Sequence, residues 1–165
     1  MKYVVIRENG FTLIEVLAVV IIVAVLAAIA IPKLVSSTVN ARRQADVATA
    51  HELKAALDRY QLDYGVYPKT AELTVVDGAV VSANLIPKYI NKLDKSTTQQ
   101  LVPDANKGFG LDALVVNPTD PTQFSIPNSA TVANPIMIYL SGNGLAAEVR
   151  AYDEGLDDVL WSSAN

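Results

Sequence analysis

An uninterrupted run of sixteen apolar residues, Val16 to Ile31, constrains this 165-residue chain more than any other feature. Extending the window back to Phe11 gives 19 hydrophobic residues in 21, broken only by Thr12 and Glu15. A helix of about 20 apolar residues matches the roughly 30 Å hydrocarbon core of a bilayer. Residues 11–31 are therefore expected to form a transmembrane helix and to cross once. A cleaved secretory signal would carry a shorter apolar region, about 7–15 residues, followed by a small-residue cleavage site. Here the run is longer and the segment after Pro32 reads as polar helix, which favours a retained span. Lys2 and Arg7 precede the run while Lys33, Arg42 and Arg43 follow it, so charge bias leaves the orientation open.

The remainder is composed for water. Residues 32–165 are about 45% hydrophobic, close to the norm for a soluble domain. Over the whole chain, 51% hydrophobic and 18% charged residues exclude a disordered polymer. A net charge of −4 argues against a nucleic-acid binder with a broad basic face, and there is no direct sign of nucleic-acid contact. With no cysteine, disulfides, thiolate metal sites and cysteine nucleophiles are all excluded.

Helical character is expected to continue through residues 32–64. Val39, Ala50, Leu53, Leu57, Tyr60 and Tyr64 mark an apolar face, with Arg42, Arg43, Asp46, Glu52, Asp58 and Arg59 assigned to the polar one. Pro32 removes one backbone hydrogen bond inside the helix, so a kink or local melting is expected there. Gly65 suits a left-handed C-terminal residue, and Pro68 forbids continuation. Beyond it the chain reads as short strands in polar connections. Leu73–Val76, Asp77-Gly78 and Ala79–Val81 give a hairpin signal, because Asp-Gly suits a type I′ turn. Further strands are expected at 111–116, 123–126, 136–140, 148–152 and 159–162, with Ser141–Gly144 turning one into the next. Stretches 94–108 and 117–135, rich in Ser, Thr, Asn and Pro, read as surface loops.

The most informative segment is Gly10-Phe11-Thr12-Leu13-Ile14-Glu15-Val16. An acid at the head of a lipid-facing helix costs on the order of 2.5–3.5 kcal/mol, so Glu15 either has a partner or reaches the headgroups. The segment resembles the type III signal of type IV pilins and the pseudopilins of type II secretion. In that family a short polar leader ends in glycine, phenylalanine follows, and glutamate stands fifth in the mature chain. Gly10, Phe11 and Glu15 fit all three, and Pro32 falls where the family commonly has a helix-breaking proline. The leader, residues 1–10, departs in the apolar stretch Tyr3–Ile6 and in Glu8.

The resemblance implies an α+β, type IV pilin-like fold: a long N-terminal helix whose C-terminal half packs on a small antiparallel β-sheet, with residues 65–165 forming the β-rich head. It also implies cleavage between Gly10 and Phe11 by a prepilin peptidase and methylation of the new amine on Phe11. Glu15 would pair with the Phe11 amine of a neighbouring subunit. For Pro32 two compatible roles stand side by side: packing, and a missing hydrogen bond that lets the helix melt locally when subunits leave the bilayer for a filament. The expected partners are copies of the chain in a homo-oligomeric filament, the peptidase, an inner-membrane assembly platform and, before assembly, the membrane. Localisation would be a single pass in the cytoplasmic (inner) membrane, then an extracellular or periplasmic filament. A second resemblance, in Ala56–Pro68, is to the helix exit of the major pseudopilin of type II secretion and of several cysteine-free pilins.

Near the C-terminus Asp153, Glu154, Asp157 and Asp158 flank Gly155, and carboxylates around a turn can supply oxygen ligands for Ca²⁺. The major pseudopilins similarly have an acid-rich C-terminal calcium loop, which makes Asp153, Asp157 and Asp158 the candidate ligands; a solvated acidic turn is the plain alternative. His51 is expected to be a solvated helix residue. The Gly108-Phe-Gly110 and Gly142-Asn-Gly144 pairs lack the pattern and setting of a nucleotide loop. No catalytic set is visible, so the expected function is structural and not enzymatic: a subunit of a type IV pilus-like filament. A type II secretion pseudopilin, a competence pilus subunit and, more remotely, a signal-anchored extracytoplasmic enzyme or binding protein are the alternatives.

Overall fold

A computed structural model describes residues 10–164; the leader expected at residues 1–10 lies, except for Gly10, outside the described residues. The chain divides at Thr38/Val39 into two compact units. A single helix, α1, runs from Leu13 to Tyr64.

In the first unit every described residue from Gly10 to Thr38 is exposed except the half-buried Ala27. Phe11, Leu13, Ile14 and the valines, leucines and isoleucines from Val16 to Val35 present their side chains outward on all sides. A helix apolar all round, with none of the described residues packed over it, belongs in a lipid or protein environment. The helix is long and apolar enough to cross a membrane. It passes through Pro32 without a break, so the local melting expected there is not a property of this state. The Ser36 and Thr38 hydroxyls just beyond donate to the Lys33 and Val35 carbonyls at 3.1 and 2.8 Å.

In the second unit, α1 buries Asp46, Ala50, Leu53, Ala56, Leu57 and Tyr60. This is the 4, 3, 3, 1, 3 succession of an amphipathic stripe. Tyr64 lies outside it, 48% exposed, and stacks on Tyr60 at 4.4 Å. Gly65 ends the helix at φ 77°, its amide donating to the Gln61 carbonyl at 2.7 Å, the left-handed exit expected from sequence.

Strands β1 (Thr74–Val76) and β2 (Ala79–Val81) form the expected hairpin, with positive φ at both Asp77 and Gly78. Gly78 is required twice over, since a Cβ there would lie 2.1 Å from the Lys107 carbonyl oxygen. A five-stranded sheet comprises β3 (Phe109–Val116), β4 (Phe124–Ser125), β5 (Ile136–Ser141), β6 (Ala147–Tyr152) and β7 (Val159–Ser162), in spatial order β4-β3-β5-β6-β7. Its pairs are antiparallel except β3 with β5, which run parallel.

Central β5 is buried at every position. Ile136, Ile138 and Leu140 pack with Ala50, Leu53, Ala56 and Leu57 of α1. Met137 and Tyr139 point the other way, into a second cluster with Leu114 and Tyr152. The alternation of a strand thus divides one apolar run between two cores. Ile126, Ala130 and Val132 cover the second cluster, so stretch 117–135, expected as surface loop, supplies part of that core's lid. Stretch 94–108 likewise buries Thr98, Gln100 and Val102.

Candidate functional site

Two places carry the chemistry anticipated from sequence. At the N-terminus, Thr12 precedes the first helical residue and Glu15 stands three residues later. The Glu15 amide donates to the Thr12 hydroxyl at 3.3 Å, while Glu15 Oε2 accepts from the Thr12 amide at 2.8 Å and from its hydroxyl at 2.7 Å. This reciprocal pair is a capping box, which satisfies amides that have no partner within the helix. The carboxylate also sits at the positive end of the helix dipole. Its pattern, Thr-x-x-Glu before an apolar run, was legible in the sequence, yet Thr12 was not singled out there. Glu15 therefore has a partner inside its own chain, and Phe11, 87% exposed, stands beside it.

The second place is the C-terminal turn. Asp153 Oδ1 accepts the amides of Asp157 and Asp158, both at 3.2 Å. The backbone closes the turn, with Asp153 donating to the Asp158 carbonyl at 3.0 Å and Leu156 to the Asp153 carbonyl at 3.1 Å. Arg43 of α1 grips the next residue through two bonds, Nε to Glu154 Oε2 and Nη2 to Glu154 Oε1, each 2.7 Å. The same Nη2 lies 3.9 Å from Asp153 Oδ2. The guanidinium holds the Glu154 carboxyl below the usual carboxylate range, and the pairing raises Arg43 in turn. Among the described residues no three His, Asp or Glu side chains gather in a metal-binding group. Of the expected ligand set Asp153, Asp157 and Asp158, Asp153 Oδ1 already serves the turn, and the neighbouring Glu154 already serves Arg43.

One turn further along α1, Asp46 corrects the polar face drawn from sequence. It is fully buried. Its Oδ1 accepts the Gln99 amide at 2.6 Å and its Oδ2 the Gln100 amide at 3.1 Å. Gln100 Nε2 then donates to the Tyr152 carbonyl at 2.8 Å, joining α1 to the end of β6 just before the acidic turn. Burial pushes the Asp46 carboxyl up, and the two amides oppose that shift. The signal available in sequence was phase, since Asp46 lies four residues before Ala50 on the apolar stripe. His51 is exposed as expected, but its ring lies tilted by 39° against Trp161, ring centres 4.0 Å apart.

Residues 6–31 match the family model described as the Prokaryotic N-terminal methylation motif. Type II secretion system core protein G of Escherichia coli K12 is 32% identical over 112 residues, 68% of this chain and 74% of that protein. The chain belongs to the core protein G family. Core protein G of Pectobacterium carotovorum is 41% identical over 66 residues, 40% of this chain and 42% of that protein. The Pseudomonas aeruginosa protein is 38% identical over 86 residues, 52% of this chain and 61% of that protein. The chain thus spans about half the length of several core protein G relatives it matches, and more of the E. coli one. No solved structure matches. The core protein G family, the methylation motif and the helix-plus-sheet fold make this a pilin-like subunit with an N-terminal membrane anchor.

Proposed function

We propose that this chain is the pseudopilin of a type II secretion system, a non-enzymatic subunit cleaved between Gly10 and Phe11, methylated on Phe11, held in the inner membrane and polymerised into a periplasmic filament. The observation that carries this reading is the likeness to E. coli core protein G, which extends past the anchor over 68% of the chain. The outward-facing apolar part of α1, residues 13–35, supports it, because such a surface needs lipid before assembly and neighbouring helices afterwards. Burying ~1,000 Å² of it per subunit is worth roughly 25 kcal/mol before association costs.

Glu15 sets the register in this proposal. Its Oε2 is engaged by Thr12, and its second oxygen is available to the methylated amine of a neighbouring Phe11. Either charge alone is expensive in low dielectric, and the pair much less so, which penalises misregistered insertion. Pro32 supplies the point where the helix loosens, since the Ala28 carbonyl lacks its usual donor.

The test is to express the gene with its secretion operon, shear the cells and sequence the filament subunits. Subunits beginning at methylated Phe11 are expected, together with loss of secretion when the gene is deleted. A membrane-bound monomer still beginning at Met1 would defeat the proposal.

A further inference from the structure

We infer that Arg43, and not a divalent cation, holds the C-terminal acidic turn of this chain. The turn brings four carboxylates within six residues, Asp153 to Asp158, and their repulsion has to be offset. The structure offers a guanidinium in a planar two-bond fork on Glu154, with its Nη2 also near Asp153. Such a fork matches carboxylate geometry better than any single-point cation on a side chain.

A calcium ion takes 6–8 oxygen ligands, roughly 2.3–2.6 Å away. To use Glu154 or Asp153 Oδ1 among them it would have to strip Glu154 from Arg43 or compete with the Asp157 and Asp158 amides for Asp153 Oδ1. It would also have to lie close to the Arg43 charge, which repels it. The turn has two further supports that need no ion. Its backbone is closed by the Asp153–Asp158 and Leu156–Asp153 bonds, and Leu156, at φ 64°, packs against the cluster of Leu114, Met137, Tyr139 and Tyr152. Arg43 itself projects from the turn of α1 next to Asp46, whose two amide bonds hold the loop that ends on Tyr152. The order of the turn is thereby independent of divalent cations and dependent on one residue of the helix.

This goes beyond the filament proposal and stands or falls separately from it. The experiment uses the full chain in detergent micelles, with thermal unfolding followed by circular dichroism and by the fluorescence of Trp161, the single tryptophan, which lies in β7 just after the turn. Millimolar calcium chloride against a chelator is expected to leave the wild-type midpoint and emission unchanged, and calorimetric titration with calcium to show no binding. Arg43→Gln and Glu154→Gln should each lower the midpoint by about 1–4 °C. The double variant should lose no more than the worse single one, the signature of a shared interaction. A calcium-dependent rise of several degrees in the wild type, abolished by Asp157→Asn, would overturn the inference. So would an Arg43→Gln variant with the wild-type midpoint. If that variant does not fold, Glu154→Gln and the wild-type titration decide the matter.

Discussion

Replacing Asp46 by leucine sets two physical effects against each other. The carboxylate is fully buried and accepts two backbone amides, at 2.6 and 3.1 Å. Hydrogen bonds to a charged group contribute about 1.5–3 kcal/mol each, a gross loss of about 3–6 kcal/mol. Against that, leucine avoids the burial of a carboxylate, which recovers about 1–3 kcal/mol. The donors left behind belong to the backbone of Gln99 and Gln100 and cannot be removed, so the loss wins and about 2–3 kcal/mol of destabilisation is expected. For a domain of this size that is a fall of roughly 6–15 °C in midpoint, read by circular dichroism on the full chain in detergent. Hydrogen exchange should show the Gln99 and Gln100 amides losing protection. Asp46→Asn retains one acceptor and should fall between the two. The pH dependence follows from the raised carboxyl: the native state keeps this proton to higher pH than the unfolded chain. Wild-type stability relative to Asp46→Asn should therefore decline as pH rises through that raised value. A leucine variant as stable as the wild type would refute the reasoning, by showing that burial of the charge outweighs both bonds.

Glu15→Ala should leave membrane insertion intact and abolish filaments, measured by fractionation and shearing; normal filaments from that variant would remove Glu15 from assembly. Arg43 holds Glu154 below its usual range, so the pair stabilises above the unfolded glutamate value of about 4.3 and the contribution disappears as pH falls through the lower native value. Carboxyl NMR should show Glu154 titrating higher in Arg43→Gln than in the wild type, and identical titration would break the link between the two residues.

Much of the N-terminal half was legible because its determinants are local. The apolar run of 16–31, the glycine exit at Gly65 and the Asp77-Gly78 turn depend on residues within a few positions of one another, and the structure has each where the sequence put it. The motif Gly10-Phe11…Glu15 is local as well, as is the Thr12–Glu15 box that periodicity alone did not expose. Asp46 was misassigned because a carboxylate reads as solvated until a specific pair of amides is known to meet it.

What the sequence by itself determined, then, is a membrane-length helix with a processing signature, followed by a strand-rich domain of ordinary composition. Only the tertiary structure decided that β3 and β5 run parallel, that β5 divides its side chains between two cores, and that Arg43 closes on Glu154 across 111 residues of chain. The reason is physical. Short-range patterns record which surface a residue prefers, whereas the partner of a buried or clustered charge depends on which distant backbone or side chain the packed core carries to it.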